Sequence, residues 1–339
     1  MRRATFALAV LAAMVPCLVS AQTKGHRIGQ LGPGPAGCAF PPSDVAKGTP
    51  FEGQPLHPFE VAFRLGLRDA GWTDPSKVQI ERRCYESGDQ LAPMAEELAG
   101  LGLEAIIAWS PPAMQVLHQR AGRVPVVFIG ALDPVVTGFV TSLARPGGNM
   151  TGLTGMYDEL ALKRIELLRE LVPGIKSLGL LSDNRLYLKI LADAAEGVKS
   201  FNITARQYLA ERPDDLPKAF AAAQEAGEQA LLIGGGGMLY VGRQRVAELA
   251  AQHAIPVNYA ISDFVDAGGL MSYAPDLAAL SRRAASYVDR ILRGDNPGEL
   301  PVERPTKFEL VINLRAAKAL RLVIPDNLLA RADRIIEAN

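Results

Sequence analysis

The stretch AIIAWSPPAMQVLHQRAGRVPVVFIGALDP, residues 105–134, decides the fold. Ala105 to Trp109 and Pro125 to Ile129 are continuous apolar runs, the form taken by parallel strands covered on both faces. A helix starts between them at Ser110-Pro111, with Ser as the cap and Pro where a missing N–H does no harm. Upstream, Arg27 to Leu31 is a short strand that runs into Gly32-Pro33-Gly34, and a Pro/Gly-rich loop follows as far as Pro58. Phe59, Ala62, Phe63 and Ala70 then recur at helical spacing until Gly71. Val78 to Arg83 alternates as a half-covered strand, and Asp89 caps a helix carrying Leu91, Ala95, Leu98 and Leu101.

After Arg145-Pro-Gly-Gly148 the same grammar restarts. Helices are expected over Lys163 to Val172, Tyr187 to Ser200, Asp214 to Ala226 and Met238 to His253, with strands at Ser177 to Leu181, Ile203 to Tyr208, Ala230 to Ile233 and Pro256 to Tyr259. From Gly269 the pattern loosens into a strand to Tyr273, a helix from Asp276 to Arg293, a strand from Glu309 to Asn313 and a closing helix after Ile324-Pro325. Strand and helix in alternation predict an α/β protein with two doubly wound parallel-sheet lobes. The irregular tail predicts a chain that crosses back between them.

Composition narrows the function. Lys+Arg and Asp+Glu are equal at 36 each, which removes the basic footprint of a nucleic-acid or anionic-lipid binder. His26, His57, His118 and His253 have no second ligand at metal-binding spacing, so no metal and no cofactor are expected. Gly234 to Gly237 lack the Lys-Ser/Thr of a phosphate loop, and no Gly-x-Ser-x-Gly elbow occurs. Arg2 and Arg3 precede the apolar run Phe6 to Val15, which ends in Val19-Ser20-Ala21. That is the form of a cleavable signal peptide over residues 1–21, its apolar run roughly half the length of a membrane span. Pro16 before Cys17 disfavours lipid attachment, so a soluble periplasmic product is expected. Cys38 and Cys84 remain, and a disulfide between them is expected against the alternative of two unrelated small residues.

Ligands of open parallel sheets sit at the carboxyl ends of the strands. In the first lobe this rule selects Gly32, Trp109, Ser110, Pro111 and Asp133. The helix start at Ser110 is either a seat for a carboxylate on free amides or an ordinary cap. Trp109 is a stacking face or a core residue, and Asp133 orients an amine or holds a crossover. In the second lobe the rule selects Tyr157, Asp183, Asn184, Gly235, Gly236, Tyr259, Ser262 and Tyr273, with the bare glycine loop making room for a ligand.

One further pattern runs through nearly the whole chain. Val124 to Pro134, Gly138, Ser142-Leu143 and Arg145 to Gly152, with Phe63 to Arg68, Gly71-Trp72, Glu166 to Pro173, Phe308 to Leu314 and Ala316 to Leu320, resemble the TrpX-like substrate-binding proteins of ABC transporters. The resemblance implies a periplasmic-binding-protein type I architecture, with lobes at 25–135 plus 275–296 and 140–270 plus 300–339 and crossovers near 134–142, 270–276 and 294–302. It implies a monomer that closes on a small solute, an amino acid among the candidates, and docks on an ABC permease with its ATPase. A module that signals to a receptor and an exported enzyme are the alternatives. The chain departs from the family where Pro111 takes a Thr position, where Trp109 takes a small-residue position, and where Asn-Pro and Thr-Asp pairs give way to Asp183-Asn184 and Gly235-Gly236.

Overall fold

The computed structural model describes residues 25–34, 58–73, 77–197 and 202–337. In lobe 1 the apolar runs become β1 (His26–Pro33), β2 (Val78–Tyr85), β3 (Ala105–Ala108), β4 (Val126–Ala131) and β5 (Met150–Thr154). They form one sheet of order β2-β1-β3-β4-β5, parallel throughout. Helices α1 (Pro58–Asp69) and α10 (Leu277–Leu292) cover one face, where Phe63, Leu67, Ala284 and Val288 pack over Ile28, Ile107 and Val127. Helices α2 (Leu91–Gly100) and α3 (Pro111–Arg120) cover the other, where Leu98, Met114 and Leu117 pack over Leu31, Ile106 and Phe128.

Lobe 2 contains β6 (Ser177–Ser182), β7 (Thr204–Leu209), β8 (Ala230–Ile233), β9 (Val257–Tyr259), β10 (Met271–Pro275), β11 (Phe308–Asn313) and β12 (Arg334–Ile336), in the order β12-β11-β10-β9-β8-β6-β7. Only the β10–β11 pairing is antiparallel. Helices α4 (Tyr157–Leu171) and α5 (Arg185–Gly197) lie on one face, while α6 (Leu216–Glu225), α7 (Gly237–Val241), α8 (Arg243–Gln252) and α9 (Asp263–Asp266) lie on the other. The short α11 (Leu314–Ala319) and α12 (Asp326–Leu329) complete the lobe. The strands β7-β6-β8-β9-β10 repeat the order of lobe 1, so β3 and β8 occupy equivalent places. In both lobes the order reverses beside the first strand, the switch point where open sheets accept ligands.

The crossovers differ from the expected ones at two of three places. The segment after Asp133 stays in lobe 1, because Met150–Thr154 adds to its sheet as an edge strand. Asn149 fixes the start of that strand, its Nδ2 donating to Val124 O at 2.8 Å. Gly152, at φ +142°, stands so close to β4 that a Cβ would fall 2.1 Å from Phe128 O. The first crossover is therefore at 155–156, not 134–142. The second is at Asp276, between β10 and α10. The third lies at 304–307 rather than 294–302, since Leu300 and Val302 are buried in lobe 1 and Glu303 N donates to Gly152 O at 3.0 Å. The helix expected from Met238 to His253 is broken at Gly242, and the closing helix has only four residues before β12 pairs with β11.

Candidate functional site

The loop after β3 leads into α3, and its hydrogen bonds correct one expectation. Pro111 and Pro112 have no N–H, the Ala113 N–H is taken by Ser110 Oγ at 3.4 Å, and the Met114 N–H by Ser110 O at 2.9 Å. No amide is left at this helix start, so the carboxylate seat expected there is not built. Ser110 is buried, and its hydroxyl shares a 2.6 Å hydrogen bond with Tyr85 from the end of β2. Burial pushes the Tyr85 phenol upward. Trp109 sets its ring edge-to-face on Phe63 at 5.8 Å, and a Cβ on Gly32 would meet the Trp109 Cβ at 3.0 Å. The indole thus packs in lobe 1, yet its Nε1 is buried with no partner among the described residues. The fully buried Gln30 on β1 likewise has neither amide atom satisfied.

Asp133 is already engaged: its Oδ1 accepts from Val135 N at 2.8 Å and Val136 N at 3.1 Å. It holds the turn that follows β4, which is no crossover. Beneath α1, Glu60 accepts from Arg64 Nε at 2.7 Å and stands 3.8 Å from Arg82, one carboxylate between two guanidiniums. Burial lowers the Arg82 pKa.

In lobe 2 the equivalent loop after β8 is Gly234 to Gly237, and a different group closes its helix. Asp183, from the end of β6, accepts through Oδ2 from Met238 N at 2.8 Å and Leu239 N at 3.0 Å. Its Oδ1 is buried with no partner among the described residues. A Cβ on Gly236 would fall 1.6 Å from that oxygen, so only glycine lets the chain pass beneath it. Burial pushes the Asp183 carboxyl up to about 6 against the opposing pull of the two amides. Asn184 Oδ1 accepts from Leu186 N at 2.8 Å and Tyr187 N at 3.3 Å, which makes it the cap of α5.

Tyr157 and Tyr187 meet edge-to-face at 5.7 Å, both buried. Burial pushes both phenols upward, and neither hydroxyl has a hydrogen-bond partner among the described residues. The Tyr187 hydroxyl lies 3.1 Å from where a Gly235 Cβ would be, and that of Tyr157 lies 3.4 Å from the same point on Gly130 in lobe 1. Beside them is Arg164 of α4, 1% exposed. Its Nε donates to Asn258 Oδ1 at 2.9 Å and its Nη2 to Ile233 O at 2.6 Å and Asn258 O at 2.7 Å. All three acceptors are neutral. Burial without a carboxylate lowers its pKa to about 9.

The carboxyl ends of the two lobes touch. A Cβ on Gly237 would fall 2.6 Å from the Tyr85 hydroxyl and 3.1 Å from Pro33 Cβ, the Phe59 ring lies tilted against Tyr240 at 6.0 Å, and Leu132 packs in the core of lobe 2. Asp183 raises the Tyr85 pKa, so its charge is felt across the junction. The structure thus brings together Gly32, Trp109, Ser110, Pro111, Tyr157, Asp183, Asn184, Gly235 and Gly236 around the switch points. Tyr259 stacks on Phe264 at 5.0 Å with its hydroxyl unpartnered, and Ser262 begins α9. Tyr273 belongs elsewhere: it lines a groove of about 370 Å³ with Lys163, Leu167, Phe308, Leu310, Arg331 and Asp333, on the α4 face. Cys84 is buried and disulfide-bonded; Cys38, its expected partner, lies outside the described residues, as do residues 1–21.

Sequence reading missed Gln30, Tyr85, Arg164 and Tyr187. Tyr85 directly follows Cys84 at a strand end, and Tyr187 lies three residues after Asn184 at a helix start. Arg164 carries no such signal, since a helical arginine reads as a solvated charge. The assembled groups can bind: Asp183 Oδ1 accepts, while Trp109 Nε1 and the two tyrosine hydroxyls donate. Among the described residues no His/Cys/Asp/Glu group is arranged to hold a metal ion, and no helix is long and apolar enough to cross a membrane.

Residues 49–336 match the family of ABC transporter substrate binding proteins, and the chain belongs to it. The tyrosine-binding protein of Clostridioides difficile (strain R20291) is 25% identical over 273 residues, covering 76% of this chain and 75% of that protein. Among solved structures, a conserved domain protein from Vibrio cholerae is similar with a TM-score of 0.77 at 23% identity, covering 92% of this chain and 99% of that one. An ABC domain in complex with L-Trp from Streptococcus pneumoniae is similar with a TM-score of 0.75 at 22% identity, covering 92% and 100%. These likenesses establish the periplasmic-binding-protein type I fold.

Proposed function

We propose that this ABC transporter substrate-binding protein captures a small carboxylate-bearing solute, an amino acid in the first instance, between its lobes and delivers it to a membrane permease powered by an ATPase. The observation that carries the reading is that a buried polar atom stands open on each side of the junction: Trp109 Nε1, just after β3 in one lobe, and Asp183 Oδ1, just after β6 in the other. Buried polar atoms are almost always satisfied, so a set left open on both sides of one junction is a binding site awaiting its partner. The relative named for tyrosine binding supports an amino acid. The Tyr157 and Tyr187 hydroxyls donate to the solute's carboxylate, and the uncompensated Arg164 makes negative charge favourable there.

Contact with both lobes is what lets a solute select the closed form, because only differential affinity shifts a population. The protein acts as a monomer in the periplasm after loss of residues 1–21, with Cys38 bonded to Cys84. Purified mature protein screened by thermal shift against a panel of amino acids and organic acids is expected to gain stability with one member. At 100 times its dissociation constant a ligand adds about 2.7 kcal/mol. Chemical turnover of that member, or no stabilisation by any, would contradict the reading.

A further inference from the structure

We infer that Phe59 and Tyr85 of lobe 1 and Gly237 and Tyr240 of lobe 2 form a seam that holds the lobes shut by protein contact alone, so that the closed form is populated without a solute. The seam is built where the lobes are not joined. Its lobe 1 side comes from the ends of β1 and β2 and the first turn of α1, and these two strands lie across the sheet from β5. Its lobe 2 side is α7, which follows β8, whereas the crossovers leave from β5, from β10 and from the segment before β11. Parts that lie away from a hinge touch only when the hinge is shut.

Each side is fixed before it meets the other. Tyr240 donates through its hydroxyl to Asp263 at 2.7 Å, carries the Arg243 guanidinium over its ring at 5.1 Å and meets Phe264 edge-to-face at 6.4 Å, all within lobe 2. The Phe59 ring approaches it from lobe 1 at 6.0 Å. Tyr85 is buried and its hydroxyl is tied to Ser110 at 2.6 Å, so the ring is held in place. Gly237 is the notch that takes it. This glycine is buried and does not use the left-handed backbone that favours glycine, and the three nearest atoms a Cβ would meet are Tyr85 Oη, Tyr85 Cζ and Pro33 Cβ, all of lobe 1. What asks for glycine here is the approach of the other lobe. Contacts of this kind raise the closed fraction of the free protein, and the observed dissociation constant of a solute that selects the closed form is its intrinsic value divided by that fraction. Phe59, Tyr85, Gly237 and Tyr240 are thus positioning residues for binding.

A wedge in the seam is the test. Small-angle X-ray scattering of the mature protein, dialysed free of small molecules, reads the closed-to-open ratio in solution. The wild type is expected to scatter with the profile of the closed structure. Gly237→Ala, whose Cβ would stand 2.6 Å from the Tyr85 hydroxyl, is expected to expand, with that ratio lowered about 5- to 150-fold. Phe59→Ala leaves the notch intact, removes the ring pair, and is expected to lower the ratio about 2- to 12-fold. Tyr85→Phe takes away the clashing oxygen, so Gly237→Ala combined with Tyr85→Phe is expected to return to the wild-type radius of gyration. A wild type that scatters as an open form, a Gly237→Ala protein as compact as the wild type, or no recovery in the double variant would overturn the inference. An expansion that comes with lost circular dichroism is unfolding, and Phe59→Ala then decides alone: a radius equal to that of the wild type overturns the seam. No solute enters the measurement, so its failure leaves the proposed amino-acid site standing.

Discussion

The loops after β3 and β8 occupy the same place in two sheets of the same order, and each opens a helix at the face where the lobes meet. They satisfy that helix in opposite ways. Lobe 1 closes it from within: two prolines remove N–H groups and Ser110 takes the next, with Tyr85 in turn filling Ser110. Lobe 2 closes it from outside, with a carboxylate borrowed from the neighbouring strand end, and half of that carboxylate stays open. In lobe 1 Glu60, Arg64 and Arg82 are neighbours and in lobe 2 the buried Glu228 pairs with Arg206, whereas Asp183 and Arg164 each lack a charged partner among the described residues. The difference teaches that a helix start is a seat only if its amides are left over. The reactive asymmetry of this cleft is in lobe 2.

The comparison breaks most visibly at Arg164. Arg164→Ala leaves Asn258 Oδ1 and two strand carbonyls without their donor and opens a cavity, so we expect a loss of about 3–5 kcal/mol, read as a lowered denaturation midpoint. A change under about 0.5 kcal/mol would mean that the cation is not held as described.

Next in size is the response to acid. Burial raises the folded-state Asp183 pKa from 3.8 to about 6. A raised acid favours the protonated native state, so its stabilisation is complete below about pH 4 and is lost as pH rises through about 6. The groups facing it are Tyr85, Tyr187 and the Met238 and Leu239 amides, and neither tyrosine titrates in that range. Ligand-free wild type is therefore expected to lose stability relative to Asp183→Asn between pH 4 and 6, and parallel curves of melting temperature against pH would contradict the assignment.

Ser110→Ala sharpens the contrast in lobe 1. It removes a cap and leaves the Tyr85 hydroxyl without its partner, an expected cost of about 1–3 kcal/mol, while the solute's Kd stays within about threefold. A tenfold weaker Kd with unchanged stability would restore Ser110 as a ligand residue. The smallest effect belongs to Pro112→Ala, which gives this helix start an N–H that it lacks. We expect a stability change of about 0.4–1 kcal/mol and no change in Kd.

Much of this was legible in the chain. Ala105–Ala108, Val126–Ala131 and Ala230–Ile233 are buried at every position, so an unbroken apolar run is all that a sequence needs to show. Met150–Thr154 is equally buried but reads as polar, with two threonines and a glycine whose close approach to Phe128 only the sheet reveals. Hence the sequence places the first crossover too early. The rule of strand carboxyl ends found Asp183 and Gly236 but not their relation, which depends on two loops that are distant in sequence. Pro111-Pro112 could have been read further, since two adjacent residues without N–H groups argue by their chemistry alone against an amide seat. Tyr273 shows the rule's weakness: it falls mid-strand once β10 extends to Pro275, and its side chain joins the α4 face.

The central claim is that one solute is held by both lobes at once, and hydrogen exchange tests it most directly. Mature protein is compared with and without the panel member that stabilises it most, by following peptides that cover residues 29–34 and 105–112 in lobe 1 and 182–187 and 233–240 in lobe 2. We expect slower exchange in both sets on binding. Protection confined to one lobe, with the other exchanging as in the free protein, would contradict the account.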